Sequence, residues 1–458
     1  MQGIELEIEK IVRYHNSKIA LRLQKKEEEI EELISKTISS YKHKHYDFST
    51  YKTLSINKSE RKREVKQYDE WSVEQFLCIY LKRLLDKNFK VKYQNRNKQI
   101  HLLFDCISGV QSMSDFTIVR FDFENFFNSI SSNYVFQKYI KNSTLEREQI
   151  DLFNDFVSGC PFCYAGINTS NAFSEIISRE FDHEINKIFF DCGLILYKRY
   201  VDDGILIFNQ FISQDSCNEK LNECINIVFK NLGYEAQGKC YTKLNTSSDK
   251  ASYISKRNLK EIPCQESKFN YLGYSFVLKV NQKDKTQIGY GITESKRNKY
   301  LRKIEDIGNR YLVHNNLELL RHEIKAFSSR VVYRRKKYTY KVWKVKGFIS
   351  NYNELRYHLN SLDDGTKAFL ETAIENKFRE IGIYDKCYFL KRKGEKSIYN
   401  LYNNLRKNKT LLFEENERVG INFETLKKLC SQVGINNFDD KNYNSLVREY
   451  LIAIKIGH

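Results

Sequence analysis

The stretch that most constrains this chain is Leu194–Phe208, reading LILYKRYVDDGILIF. Two runs rich in Ile, Leu and Tyr flank Val201-Asp202-Asp203-Gly204, the pattern of a tight β-hairpin with two aspartates and a glycine at its turn. Asp and Gly suit turns on their own account, so an ordinary solvated hairpin tip explains the stretch taken alone. A second stretch changes the balance. Phe116–Phe127, FTIVRFDFENFF, is rich in strand formers and carries Asp122 just ahead of an aromatic cluster. A strand ending in one aspartate, facing a hairpin tipped with two, brings three carboxylates together. Such a cluster repels itself unless divalent cations neutralise it. Oxygen ligands without histidine favour Mg²⁺ over zinc, and two Mg²⁺ ions held this way serve in-line phosphoryl or nucleotidyl transfer.

The 458 residues suffice for several subdomains and a substantial core. The net charge of +18 points to a polyanionic partner, since solubility alone needs no bias of sign. The 31 Tyr and 30 Phe suit base stacking and ordinary cores alike. Eleven cysteines without a spacing framework fit a reducing compartment. Cys160 and Cys163 form an isolated CxxC, read as buried thiols rather than a zinc site. No stretch has the length of a membrane span, and no secretory hydrophobic region opens the chain. The expectation is a cytoplasmic protein that handles nucleic acid and has no membrane partner.

In chain order, residues 2–40 have helical periodicity with a break at Asn16-Ser17. Residues 51–68 are basic with short β-like fragments, and a helix with Phe76, Leu77, Tyr80, Leu81 and Leu84 on one face follows. Arg61, Lys62 and Arg63 suit phosphate oxygens or, equally, an exposed loop. Cys160–Asp191 reads as a loop leading into a helix, with Ser170 or Thr169 placed to cap it and Gly166 letting the backbone approach a ligand. Lys268–Phe276 is a strand–turn–strand element, and Ile292–Arg310 a basic helix. Arg330–Lys346 holds eight Lys or Arg and no acid, with Tyr333, Tyr338, Tyr340 and Trp343 interleaved. A charge run is usually a solvated face, but the aromatics tip this one toward a strand-tracking surface. Leu362-Asp363-Asp364-Gly365 repeats the acidic string without β-rich flanks and reads as a helix-ending turn.

Taken in order, these blocks resemble the reverse transcriptases, specifically their bacterial retron-like, abortive-infection and defence-associated branches, over roughly residues 50–310. Tyr200-Val201-Asp202-Asp203 is similar to the family's YxDD box, and Phe121-Asp122 with Phe126-Phe127 to the motif of the first catalytic aspartate. Gly166-Ile167-Asn168-Thr169-Ser170 resembles the loop and helix that hold template and incoming nucleotide. Lys58 to Arg63 resembles the fingers segment, Tyr271-Leu272-Gly273-Tyr274 the primer-grip turn, and Ile292–Arg310 a thumb helix. Two positions depart from the pattern: Asn171 stands where many relatives have proline, and Ala165 where many have glutamine. No ribonuclease H-like carboxylate set follows residue 310.

The resemblance implies an α+β right-hand polymerase with a mainly helical C-terminal extension. N-terminal helices and fingers would span 1–115, the palm 116–280, the thumb 281–346 and a helical region 347–458. It implies Asp122, Asp202 and Asp203 as catalytic residues, and two Mg²⁺ ions held by Asp122, Asp202 and the Phe123 carbonyl with Asp203 in support. Arg63, Gly166, Ser170 and Lys239 would meet the nucleotide, with Lys243 and Lys250 as rivals for the last role. Phe127 would be an aromatic gate against a ribose 2′-hydroxyl, though a core phenylalanine fits the pattern almost as well. Tyr271, Gly273, Lys296 and Arg297 would contact nucleic acid, as would Arg334, Arg335, Lys336, Lys337 and Trp343 on charge grounds. The implied activity is RNA-directed DNA synthesis in antiviral defence. Its partners would be an RNA template (a dedicated non-coding RNA among the candidates), deoxynucleotides, the DNA product, and a second reverse transcriptase or another copy of this chain. A template-independent DNA polymerase and a non-catalytic nucleic-acid-binding scaffold are the competing readings.

Overall fold

The computed structural model describes residues 2–19, 24–58, 61–230, 242–261, 266–337, 340–390, 399–416, 419–438 and 441–456. The chain forms two compact units, Met1–Gln99 with Ser112–Asn258, and Ile100–Gln111 with Leu259–His458.

In the first unit, helices Gln2–Lys18 and Glu27–His43 bury Ile8, Ile11, Val12, Ile30 and Ile34. The break expected at Asn16-Ser17 comes after Lys18. The Asn16 amide stays helical and bridges to the next segment, accepting from the Lys25 N–H at 2.9 Å and donating to the Lys25 carbonyl at 3.0 Å. The basic stretch that follows is an antiparallel hairpin of β1 (Lys52–Lys58) and β2 (Arg61–Gln67). Helix Val73–Asn88 starts at Ser72, whose side chain accepts from the Gln75 N–H.

A five-stranded sheet organises this unit: β3 (Thr117–Glu124), β4 (Leu194–Tyr200), β5 (Asp203–Phe208), β6 (Lys243–Leu244) and β7 (Ser252–Ser255). The order is β4-β5-β3-β6, with β7 also pairing β3. Side chains alternate across a strand, so β3 presents Phe121 and Phe123 to one face and Arg120 and Asp122 to the other. The phenylalanine face is a core: Phe123 stacks on Phe126 at 5.0 Å and meets Phe181, from helix Ser170–Ile188, edge-on at 5.2 Å.

Gly204, expected in the turn, lies in β5 opposite Phe121. A Cβ at that position would sit 2.2 Å from the Phe121 ring, so packing of the aromatic core demands the glycine. Gly204→Ala should therefore destabilise the chain by roughly 1–3 kcal/mol through forced repacking. Urea denaturation would show a lower midpoint at unchanged slope; an unchanged midpoint would mean the ring is not pressed on the strand.

In the second unit, β8 (Ser267–Tyr271), β9 (Tyr274–Val280) and β10 (Thr286–Ile292) form an antiparallel meander. Its first turn, Leu272-Gly273, has φ of 47° and 88°, the double positive sign of a type I′ hairpin. Phe104, from the part of helix Arg96–Val110 that belongs to this unit, packs on Tyr274, Phe276 and Tyr290. Helix Glu294–His314 follows the meander. The basic stretch becomes β11 (Arg330–Lys337) and β12 (Tyr340–Lys346), and β13 (Thr410–Phe413) joins β11 in parallel. The second acidic string starts a helix instead of ending one. Asp363 caps Asp364–Glu380, its carboxylate accepting from the Thr366 N–H at 2.7 Å. Among the described residues, no helix is long and apolar enough to cross a membrane.

Candidate active site

The antiparallel register sets Asp122 on β3 directly opposite Asp203 on β5. Tyr200 pairs with Asp203, which leaves Val201 and Asp202 as a two-residue turn. Val201 has φ of 62°, the positive value such turns require at their first central residue. On a β-branched residue that conformation costs about 1–3 kcal/mol. The turn is tied to β3, because the Phe123 N–H donates to the Asp202 carbonyl at 3.1 Å. The Asn245 N–H donates to the Asp122 carbonyl at 2.8 Å from the other side. Asp122, Phe123, Asp202 and Asp203 are thus gathered at one end of the sheet.

Mutual repulsion relieved only by divalent cations was the expectation for these carboxylates. The chain supplies counter-charges of its own. Arg120 forks onto Asp203, with Nε to Oδ1 at 3.0 Å and Nη2 to Oδ2 at 3.4 Å. Its Nη1 donates to the Asp249 carbonyl at 2.9 Å. Lys250 Nζ donates to Asp122 Oδ2 at 3.1 Å, and Asn245 Nδ2 reaches the same oxygen at 3.4 Å. Burial pushes the Asp203 carboxyl up to about 6; Arg120 pulls against this, while the charges of Asp122 and Asp202 add to it. Arg120 escaped the sequence reading, although its spacing of two from Asp122 on a strand puts both on one face.

Among the described residues, no group of three or more His, Cys, Asp or Glu side chains is arranged to hold a metal ion. Mg²⁺ bound together with a nucleotide needs only one or two carboxylates, with phosphates and water completing its shell. Asp122 and Asp202 are hard oxygen donors that fit this smaller set. Asp203, gripped at both oxygens by Arg120, fits a supporting place.

Of the residues expected to meet a nucleotide, Arg63 sits in β2 opposite Ile56, but its side chain lies outside the described residues, as does Lys239. Lys250, the rival to Lys239, is the lysine found at Asp122. Gly166 has φ of 104°, and a Cβ on it would meet Lys66 O at 2.5 Å. The close approach it allows is therefore to β2, where the Lys66 N–H donates to the Ala165 carbonyl at 2.8 Å. Ser170 is buried at the start of its helix, and neither it nor Thr169 makes a side-chain cap. Thr169 is turned into the core, its Oγ1 3.7 Å from Cys78 Sγ. Phe127 is half-buried and edge-on to Phe126 at 5.7 Å. Cys160 and Cys163 are buried thiols pushed up by desolvation.

The expected nucleic-acid contacts belong to the second unit. Tyr271 is buried, since the alternation of β8 turns it to the core. Gly273 lies in the β8–β9 turn against the alkyl chain of exposed Lys296. Arg297 is turned inward, its Nη1 donating to the Ile292 carbonyl at 2.6 Å and lying 3.7 Å from Asp363. Arg334 lies over Trp343 at 4.5 Å and pairs with Glu414 at 3.3 Å, an acid just past β13. Trp343 is half exposed and Arg335 half-buried, while the side chains of Lys336 and Lys337 lie outside the described residues.

Fold and site define a mixed helix-and-sheet protein with three aspartates gathered at the end of an antiparallel sheet. No protein-family model and no curated protein matches the chain. Among solved structures it is similar to apo telomerase from Candida tropicalis truncated from its C-terminal domain, at 14% identity and a TM-score of 0.32. That alignment covers 56% of this chain and 59% of the other. It is also similar to telomerase from Candida albicans in complex with the TWJ fragment of telomeric RNA, at 12% identity and a TM-score of 0.36. There the alignment covers 92% of this chain and 67% of the other. At such scores the reading of the site stays with its own geometry.

Proposed function

We propose that this chain is an RNA-directed DNA polymerase, adding deoxynucleotides to a 3′-hydroxyl by nucleotidyl transfer. One observation carries the reading: the register that opposes Asp122 to Asp203, with Asp202 at the joining turn held by the Phe123 N–H. The order of the surrounding motifs, from Arg63 through Gly166 and Ser170 to the helix Glu294–His314, supports it. Asp122, Asp202 and the Phe123 carbonyl would hold two Mg²⁺ ions. When bound, these would lower the pKa of the attacking hydroxyl and neutralise the triphosphate. Arg120 holds Asp203 across the β3–β5 pair. Half-buried Phe127, edge-on to Phe126, would be the gate against a ribose 2′-hydroxyl. The net charge of +18 suits an RNA template and a DNA product. A bacterial defence role in the cytoplasm, with a dedicated non-coding RNA and a second polymerase or copy as partners, completes the proposal on motif order alone.

A binding scaffold is the second reading, because Arg120 and Lys250 already pair with two of the three carboxylates, Asp203 and Asp122, without a metal. Extension of a primer on RNA should require added Mg²⁺ and stop with a chelator, while RNA binding survives both. Binding without incorporation at any Mg²⁺ concentration would favour the scaffold.

Neutralising Arg334, Arg335, Lys336 and Lys337 together should weaken RNA binding. It should also flatten the slope of log affinity against log salt by roughly two to three units. Four units would require every one of these groups to meet a phosphate, and Arg334 already has Glu414. An unchanged slope would make the hairpin a solvated face.

A further inference from the structure

Behind the turn lies a buried ion cluster that the proposed chemistry does not use. The side chain of Arg199, the penultimate residue of β4, is 1% exposed. Its Nε donates to Asp182 Oδ1 at 2.8 Å, and Nη2 donates to Asp182 Oδ2 at 3.0 Å and Glu175 Oε2 at 3.2 Å. Nη1 donates to Glu175 Oε1 at 3.3 Å and to the Val201 carbonyl at 2.8 Å. All five N–H donors of the guanidinium are placed. The Tyr197 hydroxyl adds a bond to Asp182 at 2.7 Å. Both acids stand on helix Ser170–Ile188, two turns apart on one face.

Buried ion clusters are poor stabilisers, because desolvation offsets their Coulomb gain. What distinguishes this one is where it reaches. Val201 is the strained residue of the turn and Asp202 comes next. The peptide before Asp202 is held at the Val201 carbonyl by Arg199, and the peptide after it at the Asp202 carbonyl by the Phe123 N–H. Both peptide planes flanking the Asp202 Cα are pinned.

We infer that Arg199 is a positioning residue: oriented by Glu175 and Asp182, it holds Val201 in its strained conformation and so aims the Asp202 carboxylate. The consequence for turnover rests on the proposed nucleotidyl transfer; the clamp itself does not. Lysine, with three donors on a flexible stem, has no planar fork to replace it.

Amide hydrogen exchange at Phe123 reads the placement of the turn with no substrate present. In Arg199→Lys, exchange there should accelerate by about tenfold or more, and kcat should fall by roughly 10²-fold with little change in the KM for deoxynucleotide. Glycine adopts positive φ without strain, so adding Val201→Gly should bring both back to within about threefold of the wild type. Should Arg199→Lys fail to fold, Glu175→Gln takes its place. It keeps the shape and leaves Arg199 balanced by Asp182, and it should accelerate exchange in the same direction by a smaller factor. Wild-type exchange at Phe123 in the folded variant, or no rescue by Val201→Gly in Arg199→Lys, overturns the inference. A wild-type protein inactive on every primer–template, in which exchange still responds as described, would sink the nucleotidyl-transfer reading and leave the clamp standing.

Discussion

Asp202→Ala should lower nucleotide incorporation by about 10³-fold or more, because in the proposed nucleotidyl transfer it removes a carboxylate that would hold the metal ions. The described bonds that hold the turn, from the Phe123 N–H and from Arg199, end on backbone carbonyls and survive the change, so the loss of stability should be smaller than for Asp203→Ala. Asp203→Ala should behave differently. It would leave the Arg120 guanidinium, 8% exposed, without the carboxylate that it forks onto. Breaking one half of a buried ion pair costs roughly 3–5 kcal/mol. Carboxylates that only repelled one another would be removable without structural cost. The ion pair reverses that for Asp203. Single-turnover incorporation and thermal melting of the two variants separate the roles. An Asp203→Ala protein as stable as Asp202→Ala would mean that Arg120 is not anchored there.

Arg120→Met should destabilise the fold by roughly 3–5 kcal/mol at pH 8, and the loss should shrink to about 1–2 kcal/mol at pH 5. The folded Asp203 carboxyl titrates at about 6, above its ordinary value of 3.8. Between those values the folded chain keeps a proton that the unfolded chain has released. The stability this proton contributes is fully present below about pH 4 and is lost as pH rises through 6. Without Arg120 the folded carboxyl titrates higher still. At pH 8 the variant buries an unpaired charge, and at pH 5 it buries a neutral acid. Chemical denaturation at the two pH values makes the comparison. A loss independent of pH would show that the Arg120–Asp203 pair does not govern the stability of this sheet end.

Much of the site was legible because its residues obey short-range patterns. The Ile- and Leu-rich runs around Val201-Asp202 read as a hairpin, and the alternation around Asp122 as a strand. Helices such as Val73–Asn88 follow from apolar spacing. What was not legible depends on pairings between distant segments. Gly204 looks like a turn residue until the register lays Phe121 across it. Arg334 looks uncompensated until β13 brings Glu414 alongside β11. The lysines of one poorly patterned segment cannot be told apart by sequence; Lys239 lies outside the described residues, and the pairing of β6 and β7 with β3 brings Lys250, between them, to Asp122. Arg297 has the charge of a phosphate ligand but the surroundings of a structural bond, which its own helix does not reveal.

Templated DNA synthesis at Asp122 and Asp202, as proposed, is put to the test by a swap of one template base. Purified protein receives a primer annealed to RNA, Mg²⁺ and one deoxynucleotide at a time, with the first unpaired template base changed through all four identities. The deoxynucleotide added should follow the template base each time, and Asp202→Ala should add none. Addition of the same nucleotide whatever the template base, or undiminished addition by Asp202→Ala, would contradict the proposal.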